Sequence, residues 1–255
     1  MHVIFAKKVN TKKIFFSIFL LISCFAIFIY MHEKSFGVFV EKNKKLPIYS
    51  VDTNDKKIAI TFDTSWGNDN TNKILDILDK NNAKATFFVI GRWAEDYPDE
   101  TREICKRGNE IGNHSYKHLD MTNMSKEQIK NDIKNAEDKI YSITGVRTKV
   151  FRCPSGSYSN SVVDVVNSMG YRCIQWNVDS IDWREQGQKV EYDRVMSKVK
   201  PGSIILFHNN SKYTPYNLNK ILNNLKDDGY KFVRISDLIY DNNSYIDYMG
   251  RQIKK

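Results

Sequence analysis

The chain has five histidines, and two of them stand four residues apart in IGNHSYKHLD, residues 111–120. On a helix, this spacing presents two imidazoles to one cation; in a loop, His114 and His118 are two ordinary polar side chains. No Glu follows His114, so the H-E-x-x-H arrangement of metalloproteases is excluded. Other residues able to do chemistry follow short apolar runs. Asp63 follows KKIAITF, Arg152 lies in KVFRCP, and Asp179, Asp182 and Trp183 lie in WNVDSIDW; His208 closes GSIILFH. Asp63 and His208 offer a base and an acid, and the paired imidazoles offer a metal site, which together describe metal-assisted hydrolysis. Each residue alone is weak evidence, because an Asp after a strand is ordinarily a turn or helix-capping residue. They form a site only if one rim collects them.

A rim of that kind needs a parallel sheet, and the chain alternates accordingly. Strands are expected at 56–62, 85–90, 109–114, 149–154, 171–178, 202–208 and 230–235. Helices are expected at 72–82, 98–108, 125–145, 160–170, 189–199 and 217–229. Ser125 and Gln128 open the third helix in the capping-box pattern, and Gly145 ends it. Strand–helix alternation implies parallel strands under covering helices, either closed as a barrel or open and doubly wound. In both, functional groups gather at the C-terminal strand ends. No G-x-G-x-x-G follows a strand, so a dinucleotide site is not supported.

With these residues in order, the chain resembles the polysaccharide deacetylases with the NodB-homology domain, carbohydrate esterase family 4. TFD at 61–63, HSYKH at 114–118, RCPSG at 152–156, DSIDW at 179–183 and LFH at 206–208 match five motifs of that family in sequence. The FDTSWG form looks most like the sporulation-associated branch. The resemblance covers about residues 56–240. It implies an α/β fold, a distorted (β/α)7–8 barrel, that removes N-acetyl groups from an N-acetylglucosamine-containing polymer such as peptidoglycan or a spore-wall glycan.

The roles implied follow residue by residue. His114 and His118 would bind a divalent metal, zinc or alternatively cobalt. Asp63 would be the general base and Arg152 would orient it. His208, oriented by Asp182, would protonate the departing amine. The backbone N–H of Ser155 would hold the oxyanion, Trp183 and Leu206 would wall the acetyl pocket, and Tyr158 would line the substrate groove. Most members carry a second Asp after the catalytic one as third metal ligand; here that position is Thr64, with Asp69 further along the loop as the other candidate. This departure keeps a second reading open, a glycan-binding protein on a retired enzyme scaffold. A glycosidase would need two carboxyl groups flanking one bond; Asp63 and Asp182 are such a pair on paper, but they leave the histidines unexplained.

Residues 14–31 carry no charge and are long enough to span a bilayer as a helix, and Lys7, Lys8, Lys12 and Lys13 precede them. The expectation is a cytoplasmic basic segment at 1–13, one transmembrane anchor at 14–31, a stalk at 32–55, the catalytic domain at 56–240 and a polar tail at 241–255. The domain would then face the outside of the cell membrane. LISC at 21–24 resembles a lipoprotein cleavage box at Cys24, but FAIFIY continues the apolar run, which favours a retained anchor. The net charge of +9 comes from scattered lysines, which with the export signal argues against nucleic acid and for a cell-wall glycan partner. The domain is expected to act as a monomer. Cys105, Cys153 and Cys173 are an odd set, so no disulfide framework is expected; a single Cys153–Cys173 bridge needs their strands to be neighbours.

Overall fold

The computed structural model describes residues 20–23, 25 and 44–255. It divides into two compact units, Met1–Lys44 and Lys45–Lys255, and the fold below is that of the second. The expected membrane anchor is not supported: among the described residues, no helix is long and apolar enough to cross a membrane. The inferred outward-facing location, which rested on that span, falls with it. The remainder of 14–31, including Cys24, lies outside the described residues, as do the basic segment 1–13 and the first half of the stalk, 32–43.

The core is a parallel sheet. Its central strand, β2 (Lys57–Thr64), is buried at all positions but the first, and its neighbour β3 (Ala85–Val89) is buried throughout. Such unbroken apolar runs are what a sheet covered on both faces requires. With β4 (Glu110–Asn113), β5 (Val150–Phe151), β6 (Arg172–Cys173), β7 (Val178–Asp179) and β8 (Ile204–His208), the order across the sheet is β6-β5-β4-β3-β2-β8-β7. A short β9 (Lys231–Phe232) also pairs with the start of β2. Phe62 stacks between Phe87 and Phe207, at ring-centroid distances of 4.8 and 5.9 Å, and so ties the three central strands together from one face.

The sheet is a half-barrel rather than a closed ring. The stretch 171–178, expected as one strand, is split: β6 pairs with β5 and β7 pairs with β8, so consecutive pieces of chain form opposite edges. The reason is that β6 already has another partner. Ile48 N–H donates to the Cys173 carbonyl and Gln175 N–H donates to the Ile48 carbonyl, at 2.9 and 2.7 Å. The N-terminal segment thus takes up the edge that closure would have used, which also protects that edge.

That segment belongs to the domain, which starts at Lys45 rather than 56. Ile48 and Val51 are buried, and β1 (Ser50–Val51) joins β11 (Arg251–Lys254), which pairs antiparallel with β10 (Ser244–Ile246). The expected polar tail is therefore a small second sheet. Gly202 makes this junction possible: at φ +76, a Cβ built on it would lie 1.8 Å from the Val51 carbonyl oxygen. Gly202→Ala should cost about 2–4 kcal/mol through a left-handed backbone and overpacking, read as a lower chemical-denaturation midpoint.

The helices follow their local signals. Pro98 starts Pro98–Lys106, and in Lys126–Thr144 both halves of the capping box form, with Gly145 left-handed at φ 69. The short helix Gly91–Asp96 was not legible, because six residues carry too little periodicity; its Trp93 is buried in the main core. Cys153 and Cys173 do come together, with sulfurs 3.8 Å apart, but both are free thiols, as is Cys105.

Candidate active site

Strand register assembles the site. On β2, Asp63 lies opposite Phe88 of β3 on one side and His208 of β8 on the other. On the next strands Asn113 pairs with Phe151, so the residues that follow them, His114 and Arg152, emerge on the same rim. The rim expected from the sequence therefore exists.

Arg152 is fully buried, and its Nη1 donates to Asp63 Oδ1 at 2.7 Å. Its Nη2 donates to the Gln175 carbonyl at 3.2 Å, and the guanidinium lies 4.0 Å from the Phe88 ring centroid. Burial alone would raise the Asp63 carboxyl, but the Arg152 charge, helped by His114 and His208, holds it below the usual range. Asp63 is thus an anion at neutral pH with one oxygen fixed and the other facing the histidines.

The histidine pair is not helical. Ser115 and His118 are left-handed, at φ 73 and 58, and His118 N–H donates to Ser115 Oγ. This tight loop, not an i, i+4 helix face, brings the two rings to 4.9 Å between centroids. His114 Nδ1 is 2.8 Å from the Arg152 carbonyl, which can only accept, so Nδ1 carries the proton. Nε2 is left as a bare lone pair, buried without a hydrogen-bond partner and 3.4 Å from Asp63 Oδ2. Burial pushes His114 down to about 4, and burial also lowers His118, so both imidazoles are neutral and available as ligands.

A metal fits these donors in part. A neutral imidazole fixed through its Nδ1–H, with an orphaned Nε2 beside a second imidazole, is the usual preparation of a metal-binding histidine. Yet among the described residues no group of three or more His, Cys, Asp or Glu is arranged to hold an ion. Thr64 is fully buried, with its hydroxyl 3.4 Å from the Phe62 carbonyl, and Asp69 is exposed further along the loop, outside the cavity.

The surroundings of His208 are more completely built. His208 Nδ1 and its backbone N–H both approach Asp182, at 2.7 Å to Oδ1 and 2.7 Å to Oδ2. Thr214 Oγ1 donates to Oδ2 at 2.9 Å and Trp183 N–H to Oδ1 at 2.9 Å. Burial alone would lower the His208 pKa, but Asp182, with Asp63 behind it, raises it above the ordinary value. His208 is therefore protonated below that raised pKa, and activity that needs its proton falls as pH rises through it. In Asp182→Asn the supporting charge is gone, so the alkaline limb of the kcat/KM profile should move to lower pH and kcat should fall roughly 100-fold. Glu191 is buried near Asp182; burial first, then the Asp182 charge, raise it to about 7.

Asp63, His118 and His208 open into one cavity of about 540 Å³. Leu206, nearly buried, and Ser155, left-handed at φ 53, lie along its wall, with Trp183 exposed at the rim. His114 stands behind the wall, in contact with Asp63. Tyr158 does not reach the cavity: its hydroxyl meets that of Tyr49 at 3.0 Å and its ring packs on the second core cluster. Trp66 and Trp176 also line it. Gln175 and Thr214 support Arg152 and Asp182 without any motif to mark them.

A sequence profile described as polysaccharide deacetylase matches residues 50–174. The peptidoglycan-N-acetylmuramic acid deacetylase PdaA of Bacillus subtilis is 34% identical over 76% of this chain and 75% of its own length. A peptidoglycan-N-acetylglucosamine deacetylase of Bacillus cereus is 35% identical over 75% of this chain and 92% of its own. Among solved structures, a CE4 family pseudoenzyme from Bacillus anthracis superposes with TM-score 0.73, at 35% identity over 78% of this chain and 70% of that one. A mutant of it with restored enzymatic activity superposes equally well, at 36% identity over 78% of this chain and 72% of that one. The likeness extends to relatives of several kinds and singles out no sporulation-associated branch. Five motifs on one rim, a matching profile and matching folds lead to one conclusion: the chain belongs to the polysaccharide deacetylase family, carbohydrate esterase family 4.

Proposed function

We propose that the protein is a metal-dependent N-deacetylase acting on an N-acetylglucosamine-containing glycan, with peptidoglycan as the substrate class. The observation that carries this reading is the opposition, across one cavity, of an arginine-held carboxylate and a carboxylate-held imidazole, beside a buried imidazole nitrogen with no hydrogen-bond partner among the described residues.

His114 and His118 would hold the metal, which when bound polarises the amide carbonyl and makes water a better nucleophile at neutral pH. Asp63 accepts the proton of the attacking water, and Arg152 keeps its second oxygen pointed at that water. The N–H of Ser155, on the cavity lining, would donate to the oxygen that becomes negative. His208 gives its proton to the amide nitrogen as the C–N bond breaks, so that acetate and a free amino sugar leave. An amide nitrogen is a poor leaving group unless protonated, which is why the acid side is so firmly built. Trp183 and Leu206, both on the cavity lining, would wall the place of the acetyl methyl.

Incubation with peptidoglycan and with chitooligosaccharides should release acetate, stimulated by zinc or cobalt and abolished by a chelator. No acetate from either glycan with either metal would overturn the reading. Thr64 favours a second reading, glycan binding without turnover, which predicts glycan affinity unchanged by His208→Ala and no acetate to lose.

A further inference from the structure

A second cavity lies on the other side of Trp66. It measures about 390 Å³ and shares Ser65 and Trp66 with the first. Trp66 is thus a partition, exposed over 58% of its surface and set edge-on to the His118 ring at 4.9 Å. It is a rigid partition. The carbonyl of the next residue, Gly67, accepts from Trp93 Nε1 at 2.7 Å and from Asn209 Nδ2 at 2.8 Å, which anchors the loop to two different elements.

The two cavities differ in charge. Among the described residues the first is lined by the carboxylates of Asp63, Asp179 and Glu185 and by the imidazole of His208, with no lysine or arginine. The second is lined by Arg92 and Lys117 against the single carboxylate of Asp96. Asp96 approaches Arg92 at 3.4 Å, but both side chains are about half exposed, and such a pair leaves the guanidinium open to a better acceptor. The second cavity therefore presents a net positive lining to an acidic group, which the mixed lining of the first does not.

We propose that the second cavity is a subsite for an acidic neighbouring sugar: it receives the lactyl carboxylate of a muramic-acid-type residue, while a neutral N-acetylglucosamine occupies the first. The Trp66 indole supplies the flat face on which a sugar ring packs at the boundary. Arg92 offers a planar fork to the carboxylate, and Lys117 offers a mobile point charge. The inference rests on the first cavity being the deacetylation site. It makes the alternating acidic and neutral residues of peptidoglycan the preferred substrate over a uniform neutral glycan.

Binding tests this without requiring turnover. Three tetrasaccharides are titrated calorimetrically into the full chain. One alternates N-acetylglucosamine and N-acetylmuramic acid, one is the same with the lactyl carboxylates reduced to alcohols, and one is chitotetraose. The acidic ligand is expected to bind about 5–10-fold more tightly than its reduced form at low salt, with the difference shrinking at high salt. Arg92→Gln/Lys117→Gln, both exposed, should remove that difference and leave the chitotetraose affinity within about twofold. Equal affinity for acidic and reduced ligands overturns the subsite, as does a preference that survives the double substitution. Acetate release is scored separately. Acidic preference without acetate keeps the subsite and removes the deacetylase reading; acetate released equally from all three with equal affinities does the reverse.

Discussion

Asp63→Asn should lower kcat by about 10³-fold or more while glycan affinity changes little, since a general base contributes chiefly to the transition state. The same substitution should also lower stability. Arg152 is fully buried, and its charge is met by one carboxylate, at 2.7 Å. An asparagine can still accept the Nη1 hydrogen bond but leaves the guanidinium charge uncompensated, which in buried pairs costs about 3–5 kcal/mol. In a domain of this size that lowers Tm by about 10 °C. The two effects separate in a double variant. Asp63→Asn/Arg152→Gln removes both charges and should recover part of the lost stability and none of the activity. Acetate release by Asp63→Asn at more than a tenth of the parent rate would remove Asp63 from the role of base.

This dual effect explains why the site was legible at all. Residues that do chemistry at strand ends must be of particular types, and their order along the chain is preserved even though register alone brings them together. Asp63, Arg152, Asp182 and His208 could be read in that way, and the opposition of Asp63 to His208 across β2 and β8 is the contact that the alternation of strands implied. What supports them was not legible. Gln175 acts through its backbone carbonyl, and Thr214 through a hydroxyl at the start of a helix, so neither leaves a pattern. The spacing of the histidine pair left helix and loop both open, because only the left-handed turn at Ser115 and His118 shows how a loop brings the two rings together.

The fold misreadings have a common cause. Periodicity reports how a segment is buried, not what it pairs with. Residues 171–178 are buried like one strand, yet Ile48 takes the hydrogen bonds that split them between two edges. Residues 45–51 and 251–254 are each short and close to an end of the domain; their partners are about 200 positions apart, and no local signal reports such a pairing. Neither Tyr158 nor Asp69 lines the cavity: Tyr158 meets Tyr49 instead, a contact between residues 109 positions apart that no local signal reports.

Thr64→Asp is expected to produce the opposite change, a gain. With Thr64 the described donors offer two imidazoles and no carboxylate dedicated to an ion, since Asp63 is held by Arg152. A carboxylate at position 64 adds a hard anionic ligand next to two neutral ones and should tighten zinc binding by about 100-fold. It should also destabilise the metal-free protein, because position 64 is fully buried and a second carboxylate there lies one residue from Asp63. Metal binding then offsets that destabilisation through linkage. Thermal unfolding distinguishes the outcomes: zinc should raise the Tm of the parent slightly and that of Thr64→Asp by several times as much, with acetate release rising in parallel. The solved pseudoenzyme of similar fold, whose mutant has restored activity, shows that a scaffold of this kind can regain turnover by substitution. An equal zinc response from both proteins would mean that position 64 does not face the ion, and that the loss of a carboxylate there is not what limits metal affinity.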